Sequence, residues 1–165
     1  MKILTVIRHA SAKPAQAKIP DCDRSLSAKS QTEIQALAHT MNQCVDKPID
    51  RALISSATRT QMTAKHLFAQ LKIDVLDVHN STTLYQADLH HLSDVLTSQS
   101  DAIDHLLVVG HNPVVTELCF QLLKEPFVLD PACAFGLRLH SQMWADLFHS
   151  ETTCLFTHQL ESSED

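Results

Sequence analysis

The sequence predicts an α/β domain three layers deep, with helices covering both faces of a mostly parallel central sheet. Short apolar runs of strand length recur along the chain. Between them lie stretches whose apolar residues fall at helical spacing, and each run stops abruptly at polar or turn-forming residues. The 165 residues, 44% hydrophobic and 19% charged, are enough for one well-buried core. The expected organisation is a single domain over residues 1–160 followed by an acidic frayed tail, 161–165.

Ile3 to Ile7 are apolar or β-branched and read as a buried strand that ends at Arg8-His9. Ala12 to Ser25 is polar, contains Pro14, Pro20 and the group Asp21-Cys22-Asp23-Arg24, and reads as a long loop. Its charged residues either solvate the loop, pair with each other, or bring Arg24 beside a site. Ser27 is the expected N-cap of a helix carrying Ile34, Leu37, Ala38, Met41 and Val45, which ends before Pro48. Arg51 to Ser55 is a second strand, and Met62, Leu67, Phe68 and Leu71 mark the helix after it. Val75 to Val78 is a weaker third strand, followed by the loop Asn80 to Asp88 and a helix with Leu89, Leu92, Val95 and Leu96 that Asp88 is placed to cap. Leu106 to Val109 is the clearest buried strand. It runs into Gly110-His111-Asn112-Pro113, where Asn112 as N-cap and Pro113 as first helical residue open a helix through Leu123. Ala134 to Leu139 is strand-like, Trp144 to Phe148 is ambiguous, and Cys154 to Leu160 is read as a last strand.

Composition narrows the function. Only Gly110 and Gly136 occur as glycines, so neither a Walker loop nor a GxGxxG dinucleotide fingerprint can form. A formal net charge of −6 gives no basic footprint for nucleic acid or an anionic membrane. Without a signal peptide or an apolar run of 18 residues, the expected location is the cytoplasm. Five widely spread cysteines without CxxC spacing suit reduced, mostly buried thiols. The eleven histidines lack HxxxH or HxH clustering, so most are expected at the surface and no metal site is expected.

Three strand ends carry the chemistry. Arg8 is a planar fork of donors suited to phosphate, and His9 a nucleophile, base or ligand. Arg59 follows the second strand in the first turn of its helix, where a cation costs about 0.3–1 kcal/mol unless an anion compensates it. Free backbone N–H groups of the Ser55 to Thr60 turn make a second phosphate clamp plausible there. His111 repeats the setting of His9, and topology allows all of these on one carboxyl edge of one sheet, where open α/β sheets bind ligands.

The stretches ILTVIRHASA, DCDRSLS, ALISSATRTQMTA, TLYQAD and LLVVGHNPVV, spanning Ile3 to Val115, together resemble the histidine phosphatase superfamily, whose fold is phosphoglycerate mutase-like. They are most similar to its small phosphohistidine phosphatase, SixA-like branch. The resemblance implies His9 as nucleophile, His111 as second catalytic histidine, Arg8 and Arg59 as phosphate ligands, and no metal or other cofactor. Ala10 stands where the family's signature has glycine. Larger members carry a general-acid carboxylate in the loop after the third strand. Here Thr82 to Ala87 contains none and Asp88, the possible general acid, lies a little late.

A leaving imidazole depends less on a positioned acid than an alkoxide does. That contrast favours phosphohistidine over phosphoesters. Two guanidiniums beside His9 would hold it neutral for attack. The expected partner is a phosphohistidine-bearing protein, such as the histidine phosphotransfer domain of a sensor kinase, met by a monomer with an open cleft. The alternatives are a metal-independent phosphomonoesterase acting on a small phosphate ester or phosphoserine protein, and a phosphate-binding module without turnover. Whether Arg24, Tyr85 or Asn112 touches substrate is left open by the sequence.

Overall fold

The computed structural model describes residues 1–160; the expected acidic tail lies outside the described residues. Six strands, β1 (Lys2–Arg8), β2 (Arg51–Ser55), β3 (Val78–Ser81), β4 (His105–Gly110), β5 (Ala134–Leu139) and β6 (Thr152–His158), form one sheet in the order β3-β2-β4-β1-β5-β6. The first four are parallel to one another. β5 runs antiparallel to both β1 and β6, so the sheet is mostly parallel, as the sequence predicts.

The helices α1 (Ser30–Cys44), α2 (Thr58–Phe68), α3 (Leu89–Thr97) and α4 (Val114–Leu123) complete three layers. Alternation along β4 divides the core: Leu106 and Val108 join Leu4, Val6, Leu92, Leu96, Val115 and Leu118 under α3 and α4. Leu107 and Val109 face the other way, with Ile7, Ile34, Leu37, Met41, Ala64 and Leu67 under α1 and α2. Strands buried on both faces need unbroken apolar runs, which is why β1 and β4 stand out in the sequence. Each fully buried Leu or Ile here contributes about 1.5–3 kcal/mol.

Several local expectations shift. Ser27 does not cap α1; the helix begins at Ser30 with Lys29 at the cap and no side-chain bond. Ser27 instead supplies a backbone carbonyl to Ser30. β3 starts at Val78, where the third expected strand ends, although Val75 makes an isolated bridge to Ile49. Asn112 ties a loop rather than capping α4, whose cap position is Pro113. Asp88 does cap α3, accepting from His91 N at 2.8 Å. Trp144 lies in a 3-10 turn, fully buried, with Nε1 donating to Ile103 O.

All five cysteines are free thiols, but only Cys119 and Cys133 are buried, so the expectation that most are interior fails. No described helix is long and apolar enough to cross a membrane. Among the described residues no three His, Cys, Asp or Glu side chains converge to hold a metal ion.

Candidate active site

The ladder between β1 and β4 pairs Arg8 with Gly110, so the next residue on each chain, His9 and His111, emerges beside the other at the carboxyl edge. Their ring centroids are 5.2 Å apart, edge to face. His9 is anchored through its backbone on both sides, N–H to Gly110 O and carbonyl to Ala132 N. A Cβ on Gly110 would meet Val115 Cγ1 at 2.9 Å; glycine lets the start of α4 tuck close behind the His111 turn.

β2 lies on the far side of β4 and ends at Ser55, whose buried hydroxyl meets His111 Nε2 at 2.7 Å. The turn after it is tightened by Thr60 Oγ1, which donates to Ser55 O and Ala57 O. It starts α2 and aims Arg59 back over the site. Arg59 is buried, not carried out into water. Its Nε donates to His9 Nε2 at 3.3 Å. A guanidinium can only donate, so Nε2 carries the lone pair and Nδ1 the proton. That proton goes to Ala10 O at 2.7 Å.

Burial, first, and then the charges of Arg59, Arg8 and Arg24 push the His9 imidazole down to about 4, against a raising effect from the Ala10 carbonyl that is second only to burial. The sequence argument gave the guanidiniums the leading part; desolvation exceeds them. His111 is pushed down to about 3 by burial, then by His9, Arg59 and Arg8, with Asp21 opposing. Both rings are therefore neutral near pH 7.

Arg8 donates from Nη1 to Leu129 O at 2.9 Å, and burial lowers its pKa. Two buried polar atoms at this edge, Arg8 Nε and His111 Nδ1, have no partner among the described residues. A buried polar atom left unpaired by the fold calls for a partner.

The sequence reading missed Asp21. Its carboxylate accepts from Arg59 Nη2 at 2.9 Å, Tyr85 Oη at 2.7 Å and Arg24 Nη1 at 2.8 Å, while its carbonyl takes Arg59 Nη1 at 2.6 Å. Tyr85, Arg24 and Arg59 hold the carboxylate well below the usual range. Asp21 is thus the anion that compensates a cation in the first turn of α2. Arg24 reaches the rim by pairing with Asp21 and with Lys13 O. Tyr85 stands edge-on to His111 at 5.5 Å between centroids, with the Arg59 guanidinium carbon 5.9 Å from its ring centre. Asn112 faces the structural loop, donating to Leu129 O and accepting from Thr116. Asp88 is exposed, and its recorded bond is the helix cap.

The structure thus brings together His9, His111, Arg8 and Arg59 and adds Asp21, Tyr85 and Ser55. Chemically this edge combines a neutral imidazole whose Nε2 lone pair faces Arg59, two guanidiniums, and a second imidazole with an unpartnered nitrogen.

No family model and no curated protein sequence matches the chain. Solved structures do match. A protein from Agrobacterium tumefaciens assigned as the phosphohistidine phosphatase SixA superposes with a TM-score of 0.79 at 18% identity, over 96% of this chain and 98% of that one. One from Nakamurella multipartitia with the same assignment gives 0.76 at 20% identity, over 96% and 95%. The protein histidine phosphatase SixA complexed with tungstate gives 0.75 at 21%, over 94% and 95%. The chain shares the fold of these proteins over nearly its whole described length.

Proposed function

We propose that the chain is a metal-independent phosphohistidine phosphatase of the histidine phosphatase superfamily, folded as one domain over residues 1–160. The observation that carries this reading is the state of His9: neutral, its Nδ1 proton bonded to Ala10 O, its Nε2 lone pair directed at Arg59 beside His111.

Nε2 attacks phosphorus, the bond from phosphorus to the substrate's imidazole nitrogen breaks, and the phosphoryl group rests on His9. Water then attacks that phosphorus, and the bond to Nε2 breaks to release phosphate and restore the free imidazole. Arg8 and Arg59 bind the nonbridging oxygens and neutralise their charge as it shifts. His111 supplies its unpartnered Nδ1 on the neighbouring strand. A bound phosphoryl dianion raises the pKa of this ring, so that it donates to the anion rather than competing with it.

The leaving group decides between the two substrate classes. Asp21 is held as an anion by three donors, which makes it a poor proton source. Asp88 is engaged in capping α3. An alkoxide leaving group needs a proton at that moment, whereas imidazole leaves with less help. The natural substrate on this reading is phosphohistidine displayed on a protein, such as a phosphotransfer domain of a sensor kinase, met in the cytoplasm by a monomer.

The test is phosphate release from a phosphohistidine-bearing phosphotransfer domain and from p-nitrophenyl phosphate, in EDTA, with His9→Ala alongside. Fast release from the first substrate only, and none by the variant, is the expected result. Preference for the ester makes the chain a phosphomonoesterase. Undiminished activity in His9→Ala refutes the mechanism.

A further inference from the structure

We propose that Glu33 is a positioning residue that sets the tautomer and basicity of His9 through a single peptide group; this rests on the reading of His9 as the nucleophile. The carbonyl of Ala10 and the N–H of Ser11 belong to the same amide. On one side Ala10 O lies 2.7 Å from His9 Nδ1. On the other, Ser11 N–H donates to Glu33 Oε2 at 2.8 Å, and Ser11 Oγ donates to Glu33 Oε1 at 2.6 Å. The chain of contacts therefore runs carboxylate, amide, imidazole, with the reactive Nε2 at its far end.

Glu33 is 8% exposed, a level at which a carboxylate needs strong partners. It sits in the first turn of α1, where the helix dipole favours negative charge. Lys29, itself exposed, is 3.8 Å away. The preceding amide is pinned as well, since Ala10 N donates to Thr63 Oγ1, Thr63 donates on to Arg59 O, and His9 O accepts from Ala132 N. Contacts from α1, α2 and the loop before β5 thus hold the two successive peptide planes that meet at Ala10.

An anion accepting from an amide N–H polarises that amide and makes its carbonyl a stronger acceptor. A stronger acceptor at Nδ1 holds the proton there and makes Nε2 more basic, the service a carboxylate gives a histidine by direct contact. The other charged and titratable groups facing His9 are Arg8 from β1, Arg59 from α2, Arg24 from the loop and His111 after β4. The cations all oppose protonation of the ring. Glu33 is the group that acts in the other direction, through Ala10.

The experiment compares imidazole nitrogen NMR of the uniformly 15N-labelled full chain at pH 7 for wild type, Glu33→Gln and Glu33→Ala. Wild type should show one His9 tautomer, protonated at Nδ1, with its proton far downfield. In Glu33→Gln the amide oxygen still accepts from Ser11, so the tautomer persists but the Nδ1 proton moves upfield. Glu33→Ala should add the Nε2-protonated tautomer. On phosphohistidine, kcat should fall about threefold to tenfold in Glu33→Gln with KM changed by less than about twofold.

Identical His9 resonances in wild type and Glu33→Gln would overturn the proposal, because a glutamate that merely anchors the turn to α1 predicts that result. If Glu33→Ala fails to fold, the isosteric variant decides alone. The spectra need no turnover: an inactive wild type whose His9 signals respond to Glu33 would remove the phosphatase reading and leave the carboxylate-to-imidazole coupling standing.

Discussion

His9→Asn should flatten the acid side of the stability curve. Burial and the neighbouring cations place the His9 imidazole at about 4 in the fold, against its ordinary 6.5 in the unfolded chain. Below pH 6.5 the unfolded state therefore binds a proton that the folded state refuses, and stability falls as pH falls, until pH drops through about 4 and both states are protonated. Integrated from pH 7 to pH 5, this one ring withdraws about 2 kcal/mol, rising to about 3 kcal/mol at the bottom of the window. Asparagine can keep a donor toward Ala10 O but does not titrate. Urea denaturation of the two proteins at pH 7, 6 and 5 should show the wild-type midpoint falling further than the variant's, by about 1 M for a slope of about 2 kcal/mol per M. His105 and His158 are lowered in the same direction and are present in both proteins, so their share cancels, while His111 loses the repulsion from His9 in the variant but keeps the burial that leads its shift. Asp21, Asp77 and Asp104 are also lowered, but a lowered carboxylate stabilises the fold, and that contribution is lost only as pH falls below their ordinary 3.8, outside this window. Parallel midpoint curves for wild type and His9→Asn would refute the account of a neutral, desolvated His9.

Other perturbations separate the roles. Arg59→Lys keeps the charge but cannot serve His9, Asp21 and a phosphoryl oxygen from one planar fork, so kcat/KM on phosphohistidine should drop by about a hundredfold; steady-state kinetics checks this. Asp21→Ala frees Arg59 Nη2, leaves Nη1 on the backbone carbonyl and removes an anion from the rim, and calorimetric titration with inorganic phosphate should show tighter binding than in wild type. Asp88→Ala should cost about 1 kcal/mol of stability through loss of the α3 cap. Asp88→Asn retains a capping oxygen, and its turnover of phosphohistidine should match wild type. EDTA should leave the rate of the purified enzyme unchanged.

The parts of the fold that were legible are those where burial dictates residue type. β2 and β5 have the bounds their apolar runs suggest, and β1 and β4 differ only by polar end residues. β3 was misplaced because it is an edge strand. Val78 and Leu76 are 48% and 65% exposed, so hydrophobicity does not mark where backbone pairing with Ala52 to Ser55 occurs. At the site, Arg8, His9, Arg59 and His111 were readable because each directly follows or opens a regular element. Asp21 was not: it lies in a loop without periodicity, and its partners Arg59 and Tyr85 are distant in sequence. Ser55 belonged to a turn already suspected of phosphate binding, but nothing in its neighbours pointed its hydroxyl at His111. Glu33 carries no such signal, being one of several polar positions on an amphipathic helix.

The strand order has a consequence for how this protein is made. β1, which ends in Arg8 and leads directly into His9, is synthesised first, yet it is bordered by β4 and β5, with Ile3 paired to both His105 and Arg138. Until most of the chain has left the ribosome, the segment from Ile3 to Ile7 has neither hydrogen-bonding neighbour and is a flat, apolar, uncharged template for pairing with other chains. Pairings this distant in sequence make closure slow. The strand that leads into His9 is therefore also the one left longest without its hydrogen-bonding neighbours during translation.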